Sequence, residues 1–181
     1  MNWSKRISAE RSMTTATVES PLGRVRIVGD EAGVWKISCQ DEQVDERTNT
    51  GVMECRPAKP VQLAADQLAG YFAGTRETFD FPMIPIGTDF QQAVWRALMA
   101  VPYGTTQSYL TLSRQLGDEK AIRAVAAANG RNPLWIVVPC HRIIGSNGSL
   151  TGYAGGLWRK QWLLEHEGAL PGAKNGQMKL F

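Results

Sequence analysis

The sequence predicts an α+β fold, with a small sheet early in the chain and helices later. Val25 and Ile27 alternate with arginines, which is typical of a strand with one solvent-facing side. From Thr88 onward the apolar residues recur at helical spacing. A chain of 181 residues can form one domain or two small lobes. We therefore divide it into a tail (1–14), an N-terminal α/β lobe (15–86), a C-terminal domain (87–170) and a tail (171–181).

The N-terminal lobe is predicted to contain a sheet followed by one helix. Residues 15–18 and 34–39 are further strands, and 30–33 form the hairpin turn before the last strand. Pro60 can begin a helix. The apolar face of that helix would comprise Leu63, Ala64, Leu68, Tyr71 and Phe72. We expect a loop at 41–50 and an extended strand or connector at 78–85.

The C-terminal domain is predicted to be mostly helical. Thr88 can cap a helix whose apolar face is Phe90, Val94, Leu98 and Met99. Two short helices at 109–116 and 121–129 then flank the Gly-Asp turn at 117–118, which is the helix-turn-helix pattern. A last helix is expected at 158–167.

The helix at 121–129 combines small side chains with one long cation. Its alanines would let it approach a surface closely, and Arg123 stands among them. On a DNA-facing helix, small residues allow deep insertion into a groove and one arginine can probe the base stack. The alternative is an alanine helix packed in a core, with a snorkelling arginine.

The charge is unevenly distributed along the chain. The overall net charge is +3, but residues 88–164 hold 8 Lys/Arg against 3 Asp/Glu. This excess suits a polyanionic partner, although a chance fluctuation would give the same count. No apolar run reaches the roughly 20 residues that span a bilayer, and the N-terminus does not resemble a secretory signal. We therefore expect an intracellular protein without membrane association.

Cysteine and histidine are sparse. The three cysteines are Cys39, Cys55 and Cys140, and the two histidines are His141 and His166. An odd, sparse set does not predict a disulfide framework. No four-ligand zinc pattern is present, so no structural metal is expected.

Cys140 follows a short apolar run that ends in Pro139, and His141 comes next. Free cysteine is often simply a buried core residue, which is one interpretation. The other is a nucleophile, which needs a base because the thiolate is the reactive form. Neighbouring residues in extended structure point to opposite faces, so a water bridge between Cys140 and His141 is more natural than direct contact. Glu165 and Glu167 are candidates for the carboxylate that would orient the imidazole.

The string Pro-Cys-His-Arg-Ile-Ile-Gly at 139–145 resembles the active-site motif of the O6-alkylguanine-DNA alkyltransferases, also called methylated-DNA–protein-cysteine methyltransferases. Other stretches resemble the family's pattern in the same order. They are Thr-Asp-Phe-Gln-Gln-Ala-Val-Trp at 88–95, Pro-Tyr-Gly-Thr-Thr-Gln-Ser-Tyr at 102–109, Arg-Ala-Val at 123–125, Asn-Pro at 132–133, Tyr-Ala-Gly-Gly at 153–156 and Trp-Leu-Leu-Glu-His-Glu-Gly at 162–168. The resemblance is close over about 88–168 and covers only the general layout before that.

The resemblance implies a ribonuclease-H-like N-terminal lobe and a C-terminal domain that binds DNA and carries the active site. Cys140 would accept an alkyl group and not be regenerated, activated by His141 through a water molecule and by Glu167. Asn132 would order the active-site loop, and Tyr109 would assist the leaving guanine and rotate the DNA phosphate. The implied DNA-binding residues are Arg123, which would intercalate, Ala124, Tyr109, Ser146 and Arg131. The implied guanine pocket is lined by Trp135, Tyr153, Ala154, Gly155, Ile143 and Asn129.

Two departures from the family pattern concern metal and pocket size. The N-terminal zinc ligands of some relatives are absent. Trp135 is bulkier than expected on the active-site loop, although the small Ala154 offsets this in part. Cys140 argues against a group of relatives that has lost the cysteine and only binds lesions.

The expected function is DNA repair. An alkyl group, such as methyl, would move from O6-alkylguanine in double-stranded DNA, and less readily from O4-alkylthymine, to Cys140 in a single-turnover reaction. The base must first be flipped out, which is cheapest for a poorly paired base. We expect no cofactor, a cytoplasmic location at the nucleoid, and a monomer; cooperation along DNA stays open. The alternatives are a lesion-binding helix-turn-helix protein without transfer, and a hydrolase that uses Cys140, His141 and Glu167.

Overall fold

The structure, a computed structural model, describes residues 13–40 and 56–170. The fold is α+β, as predicted. The elements are β1 (Thr14–Ser20), β2 (Gly23–Asp30), β3 (Gly33–Gln40), α1 (Lys59–Phe72), α2 (Asp89–Met99), β4 (Gln107–Ser108), α3 (Tyr109–Gln115), α4 (Ile122–Gly130), β5 (Ile143–Ile144) and α5 (Leu157–His166). Short 3₁₀ turns cover Glu119–Ala121 and Cys140–Arg142. The expected loop at 41–50, the tail at 171–181 and most of the tail at 1–14 lie outside the described residues.

The chain forms two compact units. The first comprises residues 1–86 with 133–135, and the second 87–132 with 136–181. In the first unit β1, β2 and β3 form an antiparallel sheet in sequence order, and α1 packs on it. The alternation predicted for β2 is correct, because Val25 and Ile27 are fully buried. Pro60 lies in the first turn of α1, where its missing N–H costs nothing.

One expectation for the first unit needs correction, and one that had two alternatives is decided. Leu63 is exposed, while Val61 is buried, so the buried face of α1 is rotated from the predicted one. Residues 78–85, expected as an extended strand or a connector, are a connector. They make a single parallel bridge, in which the Val34 N–H donates to the Pro82 carbonyl and the Ile84 N–H to the Val34 carbonyl.

The stretch 133–135 lies at the edge of β3. The Ile37 N–H donates to the Pro133 carbonyl at 2.8 Å, and the Trp135 N–H donates to the Ile37 carbonyl at 3.2 Å. These two hydrogen bonds make a parallel bridge between Ile37 and Leu134. The first unit therefore includes three residues, 133–135, that lie in the sequence between α4 and Cys140.

The second unit begins with α2. Thr88 caps it through a complete capping box with Gln91, as its sequence favours. The predicted apolar face is partly wrong, because Phe90 and Met99 are 44% and 46% exposed. Trp95 is buried instead, and its Nε1–H donates to the Ala128 carbonyl of α4 at 2.9 Å. A hydrogen bond that satisfies the indole lets this large ring enter the core.

Helices α3 and α4 form the predicted helix-turn-helix pair. Ser108 caps α3, and Gly117 takes a positive φ of 92° at the turn between the helices. β4, just before α3, pairs in parallel with β5, which follows the Cys140 turn. This pairing brings the start of the helix pair to the cysteine segment. Among the described helices, none is long and apolar enough to cross a membrane.

Candidate active site

Cys140 begins a 3₁₀ turn, where the sequence suggested extended backbone. The turn follows Pro139, and the Cys140 side chain is 4% exposed overall. Asn132 stabilises the segment that leads to it, because its Nδ2 donates to the Val138 carbonyl at 2.7 Å. Between them, Ile136 has a φ of 73° and is buried. A β-branched residue rarely adopts this conformation, so the loop that presents the thiol stores backbone strain.

Glu167 lies at the centre of a buried network. His141 Nε2 donates to its Oε1 at 2.8 Å. Arg142 Nε donates to Oε2 at 2.8 Å, and Arg142 Nη2 donates to Oε1 at 3.0 Å. Arg142 Nη1 also donates to the Val101 carbonyl at 2.6 Å. Glu165, the other candidate, is exposed and accepts from Gln161 instead, so it is not part of the network.

The network fixes the protonation of its members. Burial alone would raise the pKa of Glu167, but the hydrogen bonds and charges of His141 and Arg142 outweigh it and lower the pKa to about 2. Burial lowers the pKa of His141, against the opposing effect of Glu167, so the imidazole is neutral at pH 7. An ionised carboxylate only accepts hydrogen bonds, so Nε2 carries the proton and Nδ1 has the free lone pair. Nδ1 is buried and has no hydrogen-bond partner among the described residues.

The resting thiol is protonated. Burial raises the pKa of Cys140, and this outweighs the lowering by the Asn132 side chain and the Lys160 charge. A protonated thiol is a poor nucleophile, so the reaction requires a base. The unprotonated Nδ1 of the adjacent His141 has the character of such a base.

Lys160 is a functional candidate that the sequence analysis missed. It is fully buried, and its Nζ donates to the carbonyls of Ile143 at 2.5 Å and Thr151 at 2.7 Å. Burial lowers its pKa to about 8, while the negative charge of a Cys140 thiolate opposes that shift. The sequence did contain a signal for Lys160, because it lies three residues before Leu163 and four before Leu164. This spacing places Lys160 on the apolar face of α5.

Tyr109, the first residue of α3, lies close to the cysteine turn. Its hydroxyl donates to the Gly152 carbonyl at 3.3 Å and accepts from Asn129 Nδ2 at 3.3 Å. Asn129 Nδ2 also donates to the Cys140 carbonyl at 3.4 Å. Tyr109, Asn129 and Cys140 are therefore brought together from three separate elements.

The exposed face of α4 matches the features predicted for a DNA-facing helix. Arg123, Ala124 and Ala127 are exposed, while Val125, Ala128 and Asn129 are buried. Arg123 makes no ion pair with any other described residue, so its guanidinium is available. Arg131 and Ser146 are also exposed. Part of the alanine face does pack inside, so α4 combines features of both interpretations: a buried side, and an exposed side from which Arg123 extends.

The predicted pocket residues fall into three groups. Ile143 is buried in β5, beside the Lys160 ammonium that binds its carbonyl. Tyr153, Ala154 and Gly155 form the loop before α5, and the Gly155 carbonyl accepts from Arg159 Nη1 at 2.8 Å. Trp135 belongs to the first unit, where its backbone pairs with Ile37. Its role in the pocket stays a prediction.

The surface charge of the second unit is smaller than its composition suggested. Of the eight cations in residues 88–164, three are buried: Arg142, Arg159 and Lys160. The exposed ones are Arg96, Arg114, Lys120, Arg123 and Arg131, and Arg114 is paired with Glu119. No cluster of three His, Cys, Asp or Glu side chains suited to a metal occurs in the described part of the chain.

Comparisons with known proteins agree over nearly the whole described chain. Residues 89–169 match the model of the 6-O-methylguanine DNA methyltransferase DNA-binding domain, and 13–85 that of the ribonuclease-like domain. The methylated-DNA–protein-cysteine methyltransferase of Salmonella typhimurium is 57% identical over 163 residues, covering 84% of this chain and 94% of that protein. Its counterpart from Methanosarcina acetivorans is 43% identical, covering 87% and 99%. The crystal structure of Mycobacterium tuberculosis OGT in complex with DNA matches with a TM-score of 0.72 at 42% identity, covering 87% and 94%.

Proposed function

This chain belongs to the 6-O-methylguanine DNA methyltransferase family, and on that premise we propose how its residues transfer the alkyl group. It is a DNA repair methyltransferase that moves an alkyl group from O6-alkylguanine in DNA to its own cysteine. The acceptor in our proposal is Cys140. The observation that carries the proposal is the buried Cys140 turn with the His141–Glu167–Arg142 network directly after it.

The thiol is activated by His141. The Cys140 proton passes to Nδ1 through one water molecule, and the imidazolium that forms is stabilised by Glu167 at 2.8 Å. Arg142 keeps Glu167 ionised and fixes its two oxygens. The charge of Lys160 lowers the thiol pKa, and this favours the thiolate at the moment of attack.

The transfer step is a displacement at the alkyl carbon. The Cys140 sulfur forms a bond to that carbon while the bond from the carbon to guanine O6 breaks. The bonding electrons pass into the guanine ring, and Tyr109 gives its hydroxyl proton to a ring nitrogen of the leaving base. The thioether has no route back to a thiol in this site, so each molecule reacts once.

The base reaches the thiol by flipping out of double-stranded DNA. The small exposed side chains of α4 let the helix approach a groove, and Arg123 fills the space in the base stack. Ala124, Arg131 and Ser146 contact the DNA next to it. Tyr153, Ala154, Gly155 and Ile143 line the pocket for the flipped guanine. We further propose that the protein acts as a monomer in the cytoplasm, at the nucleoid.

Mass spectrometry tests the proposal. After incubation with duplex DNA containing O6-methylguanine, the peptide with Cys140 should be heavier by one methyl group, with one product per protein. Cys140→Ser should bind the DNA but gain no mass. An unmodified Cys140 peptide with DNA still bound would contradict transfer and favour a lesion-binding protein. More than one product per protein would favour a hydrolase.

A further inference from the structure

Asn129 is buried at the end of α4 and makes two contacts with the reacting groups. Its Nδ2 donates to the Cys140 backbone carbonyl at 3.4 Å and to the Tyr109 hydroxyl oxygen at 3.3 Å. Its Oδ1 is buried as well and has no hydrogen-bond partner among the described residues. A buried amide whose oxygen accepts no hydrogen bond lowers the stability of the folded protein. A polar residue at this position therefore calls for a reason beyond packing.

The Cys140 carbonyl determines which way the amide points. A backbone carbonyl only accepts hydrogen bonds, so it must face the NH₂ group of Asn129 and not its oxygen. The second N–H of that group then meets the Tyr109 oxygen at 3.3 Å. Because one N–H already occupies a lone pair of this oxygen, the Tyr109 hydrogen must point elsewhere. In the resting protein it points to the Gly152 carbonyl.

From this geometry we infer that Asn129 is a positioning residue that makes Tyr109 a proton donor. The inference rests on the proposed alkyl transfer. When guanine leaves, the Tyr109 hydroxyl proton moves to a ring nitrogen of the base, and negative charge develops on the phenol oxygen. The Asn129 N–H stabilises that charge until solvent returns a proton. The resting distances of 3.3–3.4 Å suit such a role, because catalytic hydrogen bonds often shorten only when substrate is bound.

The electrostatic surroundings of Tyr109 explain why proton donation by its hydroxyl needs the Asn129 hydrogen bond. Burial raises the pKa of Tyr109, and a Cys140 thiolate raises it further, so the phenol is a weaker acid than in water. The Asn129 hydrogen bond is the opposing effect. Lys160, whose Nζ lies 5.8 Å from the centre of the Tyr109 ring, is the charged group on the α5 side.

The test compares Asn129→Leu, Tyr109→Phe and the double variant, using free O6-benzylguanine so that DNA contacts play no part. Asn129→Leu should slow benzyl transfer about tenfold, the rate equivalent of one hydrogen bond to a developing charge. In the Tyr109→Phe background the same change should have less than about a twofold effect, because no phenol oxygen remains to accept the bond. With 8-bromo-O6-benzylguanine, a better leaving group that needs less proton donation, Asn129→Leu should slow transfer by less than about threefold.

A matched control is Gln115→Leu, which removes an exposed amide from α3 and should leave both rates unchanged. Thermal unfolding checks that each variant folds, and Asn129→Ala repeats the cycle if the leucine variant does not. Two results would overturn the inference, provided that wild-type Cys140 is still benzylated. One is that Asn129→Leu slows transfer equally with both substrates. The other is that the effects of Asn129→Leu and Tyr109→Phe are fully additive in the double variant. A wild-type protein whose Cys140 gains no alkyl group from free O6-benzylguanine or from O6-methylguanine in duplex DNA would instead contradict the proposed function itself.

Discussion

Glu167 is the carboxylate on which the buried charges of the site depend. Its two oxygens accept hydrogen bonds from one neutral imidazole and one guanidinium, and all three side chains are buried. Removing the carboxylate would leave Arg142 as an uncompensated buried cation, which is far more costly than losing a surface ion pair.

We expect Glu167→Gln to lower both activity and stability. The neutral amide cannot balance the charge of Arg142, and whichever way it is oriented its NH₂ group meets Arg142, which only donates. The loss in free energy of unfolding should be about 3–5 kcal/mol, the usual result of removing one partner of a buried pair, as measured by denaturant unfolding. Transfer to Cys140 should slow as well, because the His141 imidazolium loses its counterion.

Glu165→Gln is the matched control, since Glu165 is exposed two residues away. It should change neither the transfer rate nor the free energy of unfolding, and a similar loss in this variant would contradict the role assigned to Glu167.

The pH dependence of stability gives a second check on Glu167. Because the folded pKa of Glu167 is lowered from 4.5 to about 2, its contribution to stability is present above about pH 4.5 and disappears as the pH falls toward 2. This part of acid unfolding should be absent in Glu167→Gln.

Lys160→Met should shift the pH profile of transfer to higher pH. The Lys160 charge lowers the Cys140 pKa, so its removal makes the thiol harder to ionise. Methionine has a similar length and suits a buried site. The measurement is the rate of reaction with free O6-benzylguanine across pH, with the exposed Lys120→Met as control. An unchanged profile would show that the Lys160 charge does not act on the thiol.

Lys160 should also affect stability in alkaline solution. Its folded pKa of about 8 lies below the ordinary 10.5, so between these values the unfolded chain holds a proton that the folded protein lacks. Stability from this residue therefore rises as the pH increases from about 8 to 10.5. Lys160→Met should lack that rise in unfolding experiments.

At the scale of elements, α4 has two different faces. The exposed side carries Arg123, Ala124 and Ala127, while the buried side contacts α2 and the cysteine turn through Ala128 and Asn129. One nine-residue helix can therefore serve both of the roles that we propose, DNA contact and positioning of Tyr109, because residues on opposite sides of a helix face different partners.

Arg123→Ala should slow repair of O6-methylguanine in duplex DNA by at least about tenfold, because the gap left by the flipped base is no longer filled. Reaction with free O6-benzylguanine should be unaffected, since no base has to be flipped. Arg96→Ala, which removes an exposed arginine from α2, is the control. Equal slowing of both reactions by Arg123→Ala would remove Arg123 from the flipping step.

At the scale of the whole molecule, five exposed cations and three exposed acids remain on residues 88–164. We therefore expect DNA binding to depend mainly on a few placed arginines and not on a large positive field. Duplex binding should weaken as the salt concentration rises. Arg131→Ala should make the plot of the logarithm of the association constant against the logarithm of salt concentration less steep by about 0.9, the value of one phosphate contact. Fluorescence anisotropy with labelled duplex measures this slope. An unchanged slope would place Arg131 outside the DNA contact.

The sequence by itself determined the features that depend on local spacing. Strand alternation at Val25 and Ile27, the helix cap at Thr88 and the small residues around Arg123 are all properties of a few consecutive residues. They predicted the α+β class and the helix-turn-helix pair, and the motif around Cys140 indicated the family. Where local spacing was ambiguous the prediction failed, as for Phe90 and Met99, which lie on α2 but face solvent.

Only the tertiary structure decided which distant groups meet. Glu165 and Glu167 differ by two positions, or about 200° around a helix, and the burial of Leu163 and Leu164 determines which one faces inward. The same packing turns Lys160 toward the Ile143 carbonyl, and the contact of α4 with the cysteine turn brings Asn129 between Tyr109 and Cys140. Burial then sets the protonation states, because it favours neutral His141 and protonated Cys140 and leaves Glu167 ionised only where Arg142 and His141 donate to it.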